Sequence, residues 1–424
     1  MKKAILLGIM FIFLGISSSF AATTQIDSLI EKLVEKGILD REEARSIKAE
    51  VVADEKLLRE EGLKQSMPEW VQKTKLKGDL RLRYQYERKK NDAEAQTRGR
   101  IRYRLGLETK INDMVKVGAG LASSNSSSSN SDDPRSTNQT LQNMFDRGSI
   151  RLDYAFAEYV PAPWAKIVGG KFLRSDYLWS PTDLLWDSDI NPAGSSVHLE
   201  KKLGDQWSLF NNTGVWIMDE NGKVDRVDPF LAYTQVGAKW KDKNKAFDAT
   251  LAGIYYGFNG IEDILLDNRA CTNSGLSGSS SSCTGTLIYD YDSAGVSAEF
   301  GINKPLGANI ERLAFFSDFI HNFDPEDDEN GWATGVKFGD AKVNGQNQWQ
   351  MKYQYSYLGR DAFPDTFPDS DRLGGATNVR GHEWIIEYGL AKNVILGLDY
   401  YQDDVIKGTK NRQKLLQADI SFKF

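Results

Sequence analysis

Cysteine and histidine are scarce in this chain. Among 424 residues only Cys271 and Cys283 are cysteine, and only His198, His321 and His382 are histidine, far apart along the sequence. No CxxC, CxxCH or HExxH occurs, so a metal or haem site has no support. GxSxG is also missing, and a lipase or protease would need a nucleophile paired with a histidine. The carboxylates are plentiful but form no recognisable catalytic pair. We therefore expect no catalytic residue, no cofactor, no metal and no enzyme. The formal charge is −6, and about −8 once Lys2 and Lys3 are removed, which gives no reason to expect a nucleic-acid partner.

Long apolar runs are missing as well. Beyond residue 22 no stretch approaches the roughly 18 apolar residues of a membrane-spanning helix. The mean hydropathy of −0.47 looks like that of a soluble protein. A transmembrane barrel has the same average, because every second residue faces the lumen. The order of residues has to decide between the two.

The first residues, MKKAILLGIMFIFLGISSSFAA, have the organisation of a secretory signal peptide. Lys2 and Lys3 precede an apolar run from Ala4 to about Gly15, and Ser19 and Ala21 occupy the −3 and −1 positions of a cut before Ala22. Residues 1–21 are expected to be removed, and an uncleaved anchor would need a longer run. Residues 25–66 then have helical periodicity: Ile26, Leu29, Ile30, Leu33 and Val34 recur at spacings of three and four. Gly37 stops this segment. Asp40, with Glu43 three residues on, reads as a capping box opening a second helix that carries Ala44, Ile47, Val51 and Leu58. Pro68 ends the region. Residues 22–73 are thus expected to be a periplasmic helical hairpin and linker.

From about residue 74 the period changes to two. In KLKGDLRLRYQYE, Leu76, Gly78, Leu80, Leu82, Tyr84 and Tyr86 share one face, while Lys75, Lys77, Asp79, Arg81, Arg83, Gln85 and Glu87 share the other. The next segment sets Ile101, Tyr103, Leu105 and Leu107 against Arg98, Arg100, Arg102 and Arg104. The chain ends the same way: Leu416, Ala418, Ile420, Phe422 and Phe424 alternate with Gln417, Asp419, Ser421 and Lys423. Strands are expected near 75–87, 98–111, 114–121, 149–160, 166–173, 196–202, 207–217, 229–240, 246–258, 289–301, 310–321, 331–338, 349–357, 381–390, 394–401 and 413–424. These sixteen strands over 74–424 are expected to form an antiparallel transmembrane β-barrel, an all-β fold. A half-buried edge strand of a soluble sheet is the alternative for any one of them.

The connections alternate in length. Tight ones fall at 112–113, 161–165, 203–206, 241–245, 302–309 and 391–393, and long polar ones at 122–148, 174–195, 259–288 and 358–380. The turn at 339–348 is longer than the other short ones and fits the rule least well. Short periplasmic turns opposite long outer loops are a barrel's requirement rather than a sandwich's. Tyr84, Tyr86, Trp240, Trp349, Tyr355, Tyr357 and Tyr400 sit near strand ends, where aromatic girdles meet the membrane interfaces.

Two regions are candidates for function. Arg81, Arg83, Arg98, Arg100, Arg102 and Arg104 would line one lumen wall. They either guide anions along the pore or pair with carboxylates across it. The third outer loop, RSDYLWSPTDLLWDSDINPAGS, is rich in apolar and aromatic residues for an exposed segment. Folded inward, it would present Asp176, Asp183, Asp187 and Asp189 to the pore. Otherwise it packs over the rim or at a subunit contact. Cys271 and Cys283 flank a Gly/Ser-rich stretch of the fifth outer loop and are expected to form a disulfide in an oxidising compartment.

LIEKLVEKGILDREEARSIKAE, KGDLRLRYQYER, LDYAFAEYVPAPWAKIVGGKF, the DLLWDSDINPAG loop and the terminal Phe424 resemble the putative-porin family of Gram-negative outer-membrane channels, similar in style to phosphate-selective porins. The resemblance implies a diffusion channel in the bacterial outer membrane whose third loop narrows the pore. It implies no particular solute. The expected partners are outer-membrane lipid, small hydrophilic solutes or ions, and further copies of the chain in a homo-oligomer. A structural or peptidoglycan-linked barrel without open-channel activity is the alternative.

The division of the chain makes a prediction. A protein lacking residues 25–66 should still insert as a barrel that resists heat in detergent, because a helical stripe with a charged opposite face cannot join a lipid-facing sheet. Failure of the truncated chain to migrate as a heat-modifiable band would place these residues in the barrel's own core.

Overall fold

The computed structural model describes residues 30, 32, 34–36, 40–47, 49–50, 68–92, 94–124, 133–142, 144–145, 147–220, 228–307 and 310–424. The expected signal peptide lies outside these residues, as does much of the expected hairpin. The chain divides into two compact units, 1–73 and 74–424. In the first, residues 41–47 are helical. The capping box at their start is formed: the amides of Glu42 and Glu43 donate to Asp40 Oδ1, each at 2.8 Å, and the Asp40 amide donates to Glu43 Oε2 at 3.0 Å.

The second unit is a closed antiparallel barrel of sixteen strands. They are β1 (Lys75–Lys89), β2 (Gln96–Lys110), β3 (Val115–Ser124), β4 (Ser149–Ala162), β5 (Ala165–Lys171), β6 (Ala193–Leu203), β7 (Trp207–Ile217) and β8 (Phe230–Lys241), followed by β9 (Phe247–Asn259), β10 (Ser293–Asn303), β11 (Arg312–Asn322), β12 (Asn330–Gly339), β13 (Trp349–Leu358), β14 (Val379–Ala391), β15 (Val394–Val405) and β16 (Gln413–Lys423). A two-residue bridge, Gln139–Thr140, adds to β2 from the second outer loop.

Each strand pairs with its sequence neighbours, and β1 closes on β16 from Asp79↔Lys423 to Lys89↔Gln413. Two further hydrogen bonds extend the seam: the Gly78 amide donates to the Phe424 carbonyl at 2.8 Å, and the Phe424 amide to the Gly78 carbonyl at 3.0 Å. Position 78 has to be glycine. A Cβ there would lie 2.4 Å from the Arg104 carbonyl oxygen and 2.7 Å from the Phe424 ring.

Alternation places side chains as the sequence pattern requires. Leu76, Leu82, Tyr84 and Tyr86 are exposed on the lipid face, whereas Asp79, Arg83 and Gln85 are buried in the lumen. On the lipid face of β12–β15 the aromatic residues meet across strands: Trp332 with Tyr355 and Tyr357, and Trp384 with Tyr353 and Tyr400, at ring separations of 5.4–6.1 Å. Trp207 and Trp240 pair likewise at the opposite end.

Strand ends shift by up to four residues from expectation, and the start of β10 has a physical reason. Tyr289 and Tyr291 alternate with aspartates and so imitate a strand, but β10 begins only at Ser293. Tyr291 has a left-handed φ of 62°, is fully buried, and donates its hydroxyl to Asp361 Oδ1 at 2.9 Å. It ties the fifth outer loop to the seventh instead of extending a strand. The long turn at 340–348 packs over the neighbouring short turn. The Asn393 amide donates to the Asn344 carbonyl, and the Asn347 amide to the Gly389 carbonyl.

Cys271 and Cys283 are bonded, with their Cα atoms 5.6 Å apart. The clasped segment is fastened to the seventh outer loop: Asn273 Nδ2 donates to the carbonyls of Arg360 and Phe363, and the Ser274 amide to Asp361 Oδ1. Replacing both cysteines by serine should open this segment to protease while leaving barrel heat resistance unchanged, since closing a loop of this size is worth about 3 kcal/mol locally. Loss of the heat-resistant band in the double variant would tie the disulfide to barrel assembly instead.

Candidate functional site

The β1–β2 register sets arginine directly opposite arginine: Arg81 faces Arg102, and Arg83 faces Arg100. Like charges in that position repel, and carboxylates from four parts of the chain are drawn in. Arg83 makes a forked contact, Nε to Asp419 Oδ1 and Nη2 to Asp419 Oδ2, both at 2.8 Å, and lies 3.6 Å from Asp371 of the seventh outer loop. Arg81 is 3.7 Å from Asp419 and donates to Asn138 Oδ1. Arg102 and Arg104 share Asp79, with Nε contacts of 3.0 and 2.6 Å. Arg98 donates to Glu87 Oε2 at 2.9 Å. Arg100 differs from the other five, donating to the neutral Gln85 Oε1 and Ser136 Oγ.

The third outer loop, residues 172–192, runs into the barrel. Trp186 anchors it. The indole is 3% exposed and packs at ring separations of 4.7–6.0 Å on Trp216 of β7, Tyr256 of β9, and Phe363 and Phe367 of the seventh outer loop. Its Nε1 donates to the Tyr256 hydroxyl at 3.0 Å. Further along, the Trp179 amide donates to Gln235 Oε1 of β8, and the Thr182 amide to Asp318 Oδ2 of β11. Phe172, Tyr177, Leu178, Leu184 and Ile190 are buried with it. The loop therefore leans on the inner wall of β4 and β7–β12, where inward-facing Tyr154, Phe156, Trp216, Tyr233, Tyr256 and Phe258 form an aromatic bed. Strand alternation put these residues inward, but the girdle pattern drew attention to the aromatic residues facing lipid.

The four loop aspartates separate. Asp189 reaches the basic wall, 3.5 Å from Arg104 and 4.0 Å from Arg102, and Oδ2 accepts from the Thr137 amide and hydroxyl. Burial alone would raise its carboxyl, but Arg102 and Arg104 hold it below the ordinary carboxylate range. Asp183 accepts from Gln354 Nε2 at 3.0 Å and lies 4.0 Å from Lys352. Asp187 accepts from the amides of Asp189 and Ser370. Burial, reinforced by the Asp189 charge, pushes it up to about 8. Asp176 is solvent-exposed and stands apart from the other three, with Lys116 and Lys166 as its cationic neighbours.

A second charged cluster was not singled out in the sequence. Arg372 of the seventh outer loop donates to Asp403 Oδ1 at 2.9 Å and to Glu383 Oε2 at 3.0 Å, and Lys352 also donates to Glu383. All four are buried or nearly so. Lys352, Glu383 and Asp403 occupy inward positions of β13–β15, so alternation was the signal that could have found them. Nothing in the local sequence pointed to Arg372.

With the loop seated on the aromatic side, a gap remains beside the charged sector of β1, β2 and β16, whose Arg81, Arg83 and Arg102 side chains are largely covered. A cavity of about 400 Å³ lies there, lined by Lys77, Asp79, Arg102, Arg104, Asp153 and Asp189 among others. Among the described residues no group of His, Cys, Asp or Glu side chains is arranged to hold a metal ion.

The sequence profile of a family described as putative porin matches residues 44–97, 86–288 and 288–424. No curated protein matches the chain. Among solved structures, OprB of Pseudomonas putida is 11% identical, covers 84% of this chain and 96% of its own, and superposes with a TM-score of 0.52, a likeness of fold alone. The outer-membrane channel DcaP of Acinetobacter baumannii is 13% identical over 83% of this chain and 97% of its own, with a TM-score of 0.44.

The Asp187 proton makes the loop sensitive to pH. Because its pKa lies above that of an unfolded aspartate, the linked stability is fully present below about pH 4 and is lost as the pH rises through about 8. Between pH 6 and 9 the wild-type protein should lose on the order of 2 kcal/mol more than Asp187→Asn in urea unfolding followed by tryptophan fluorescence. Equal losses in the two proteins would show that Asp187 is already ionised in the folded loop.

Proposed function

Because the chain belongs to the putative-porin family, we propose that this outer-membrane barrel is a water-filled channel for the passive diffusion of small hydrophilic solutes or ions. Residues 22–73 are then a periplasmic appendage to the barrel. The observation that supports the channel reading is the one-sided seating of the third outer loop. Its apolar residues are satisfied by the aromatic bed of β4 and β7–β12, while Asp189 reaches across to Arg102 and Arg104. On this reading the cavity bordered by Arg102, Arg104 and the loop's Asp189 is part of the passage. A solute crossing there exchanges its hydration for fixed, oriented charges, which suits small polar and ionic species and disfavours apolar ones.

Five of the six wall arginines lie within 4.0 Å of a carboxylate. Arg100, with its neutral partners, is the cation most available to a passing anion.

In planar bilayers the purified full-length mature protein should give stepwise conductance. Trp186→Ala removes the loop's anchor at a cost of about 3–5 kcal/mol, and larger or noisier steps should follow. A correctly folded barrel that gives no steps would favour a structural role over a channel.

A further inference from the structure

Five of the six wall arginines in the lumen meet a carboxylate, but a set of cations on the lipid face does not. Arg88 and Lys90 at the outer end of β1, Arg380 at the start of β14, and Lys414 at the start of β16 converge on one concavity of about 630 Å³, joined by Lys410 and Arg412 of the eighth outer loop. The strands run β14, β15, β16, β1 around the barrel, so these residues share one patch at the outer rim. Their orientation follows from alternation: Arg88 continues the face of Tyr84 and Tyr86, Lys414 that of Leu416 and Ala418, and Arg380 that of Trp384. A single carboxylate, Asp404, lines the site, and it accepts from Arg412 at 3.3 Å. Lys410 donates to the carbonyls of Val405 and Ile406. Arg88, Lys90, Arg380 and Lys414 have no ion-pair partner among the described residues.

The ladder makes the imbalance sharper. Arg88 stands directly opposite Lys414, an arrangement that repels unless an anion lies between them. In the lumen the same Arg-on-Arg arrangement is neutralised by Asp79, Asp189 and Asp419. Here the only carboxylate lining the site is Asp404, which stands opposite Arg380 and bonds Arg412, and none faces the Arg88–Lys414 pair.

Below the cations, on the same strands, lies an apolar trough of about 730 Å³. Its floor is Ala418, which the register sets between Tyr84 of β1 and Leu398 of β15. Ile386 and Ile420 flank it. Lys414 and Ala418 are four positions apart on one strand, about 13 Å at the rise of a strand. Trp384 and Tyr400, with rings 5.6 Å apart, mark the membrane interface between the two features.

We propose that this patch binds a phosphorylated lipid of the outer leaflet. The phosphate sits among Arg88, Lys90, Arg380 and Lys414, and an acyl chain lies in the trough over Ala418. A free phosphate would use the cations but not the trough. A second copy of this chain would bring its own lipid face, apolar at this level, against unpaired cations. A lipid anion at the rim with its tail below matches both features at once.

The test uses the full-length mature protein in detergent and native mass spectrometry with three probes: a diphosphorylated lipid A, dioleoyl phosphatidylcholine as a zwitterionic control, and inorganic phosphate. The wild-type protein should retain lipid A in preference to phosphatidylcholine. The variant Arg88→Gln, Lys90→Gln, Arg380→Gln, Lys414→Gln should bind it at least about tenfold more weakly, with heat-modifiable migration retained. Ala418→Trp, which fills the trough and leaves the charges in place, should also weaken lipid A and keeps the test decisive if the quadruple variant misfolds. Equal lipid A binding by wild type and either folded variant overturns the proposal. Displacement of lipid A by millimolar inorganic phosphate would reassign the cluster to free phosphate. A change of oligomeric state in the quadruple variant without a change in lipid retention would reassign it to a contact between copies.

Discussion

A bilayer offers no hydrogen bonds, so every backbone N–H and C=O crossing it must find a partner within the protein. The rest of this structure depends on that constraint. It requires β1 to find β16, and the seam is continuous from Gly78–Phe424 to Lys89–Gln413. Once the ladder closes, each strand has one face to lipid and one to the lumen, and the period of two fixes which residue goes where. The glycine at 78 and the phenylalanine at 424 are complementary parts of this closure. The ring lies where a Cβ would otherwise stand.

The lumen is then divided by chemistry. One side is aromatic, and it receives the third outer loop through Trp186, Tyr177 and their neighbours. The other side is charged, and its arginine rows would repel one another but for Asp79, Asp419, Asp371 and Asp189. These carboxylates come from β1, β16, the seventh loop and the third loop. Charge neutralisation on the wall thus also positions the two loops. Removing a buried partner from such a network strands the charge that remains, which makes the network rigid. Four outer loops contribute to this interior: the second meets the wall and the third through Asn138 and Thr137, the fifth, clasped by its disulfide, is fastened to the seventh, and the seventh packs on the third.

The two faces of the barrel treat cations differently. Inside, all the wall guanidinium groups but that of Arg100 are matched by carboxylates of strands and loops. On the lipid face at the outer rim, four cations remain unmatched above an apolar trough. The membrane itself is the available source of a counter-charge at that level.

Much of this was legible in the sequence. All sixteen strands follow from period-two alternation, and so do the inward placement of Arg81–Arg104 and the outward placement of Tyr84 and Trp384. The capping box at Asp40 and the bond between Cys271 and Cys283 were equally readable, since each depends on residues close in sequence. Tyr291 was misread because an alternating YDYD run is ambiguous until its backbone conformation is known. Which carboxylate meets which arginine was decided only by the tertiary structure. Asp419 lies 336 residues from Arg83, and Asp189 lies 85 from Arg104. The role of Arg372, the inward aromatic bed and the separation of Asp176 from the other loop aspartates belong to the same class. The physical reason is that alternation is a property of one strand, whereas these contacts depend on barrel closure and on the path each loop takes across the lumen.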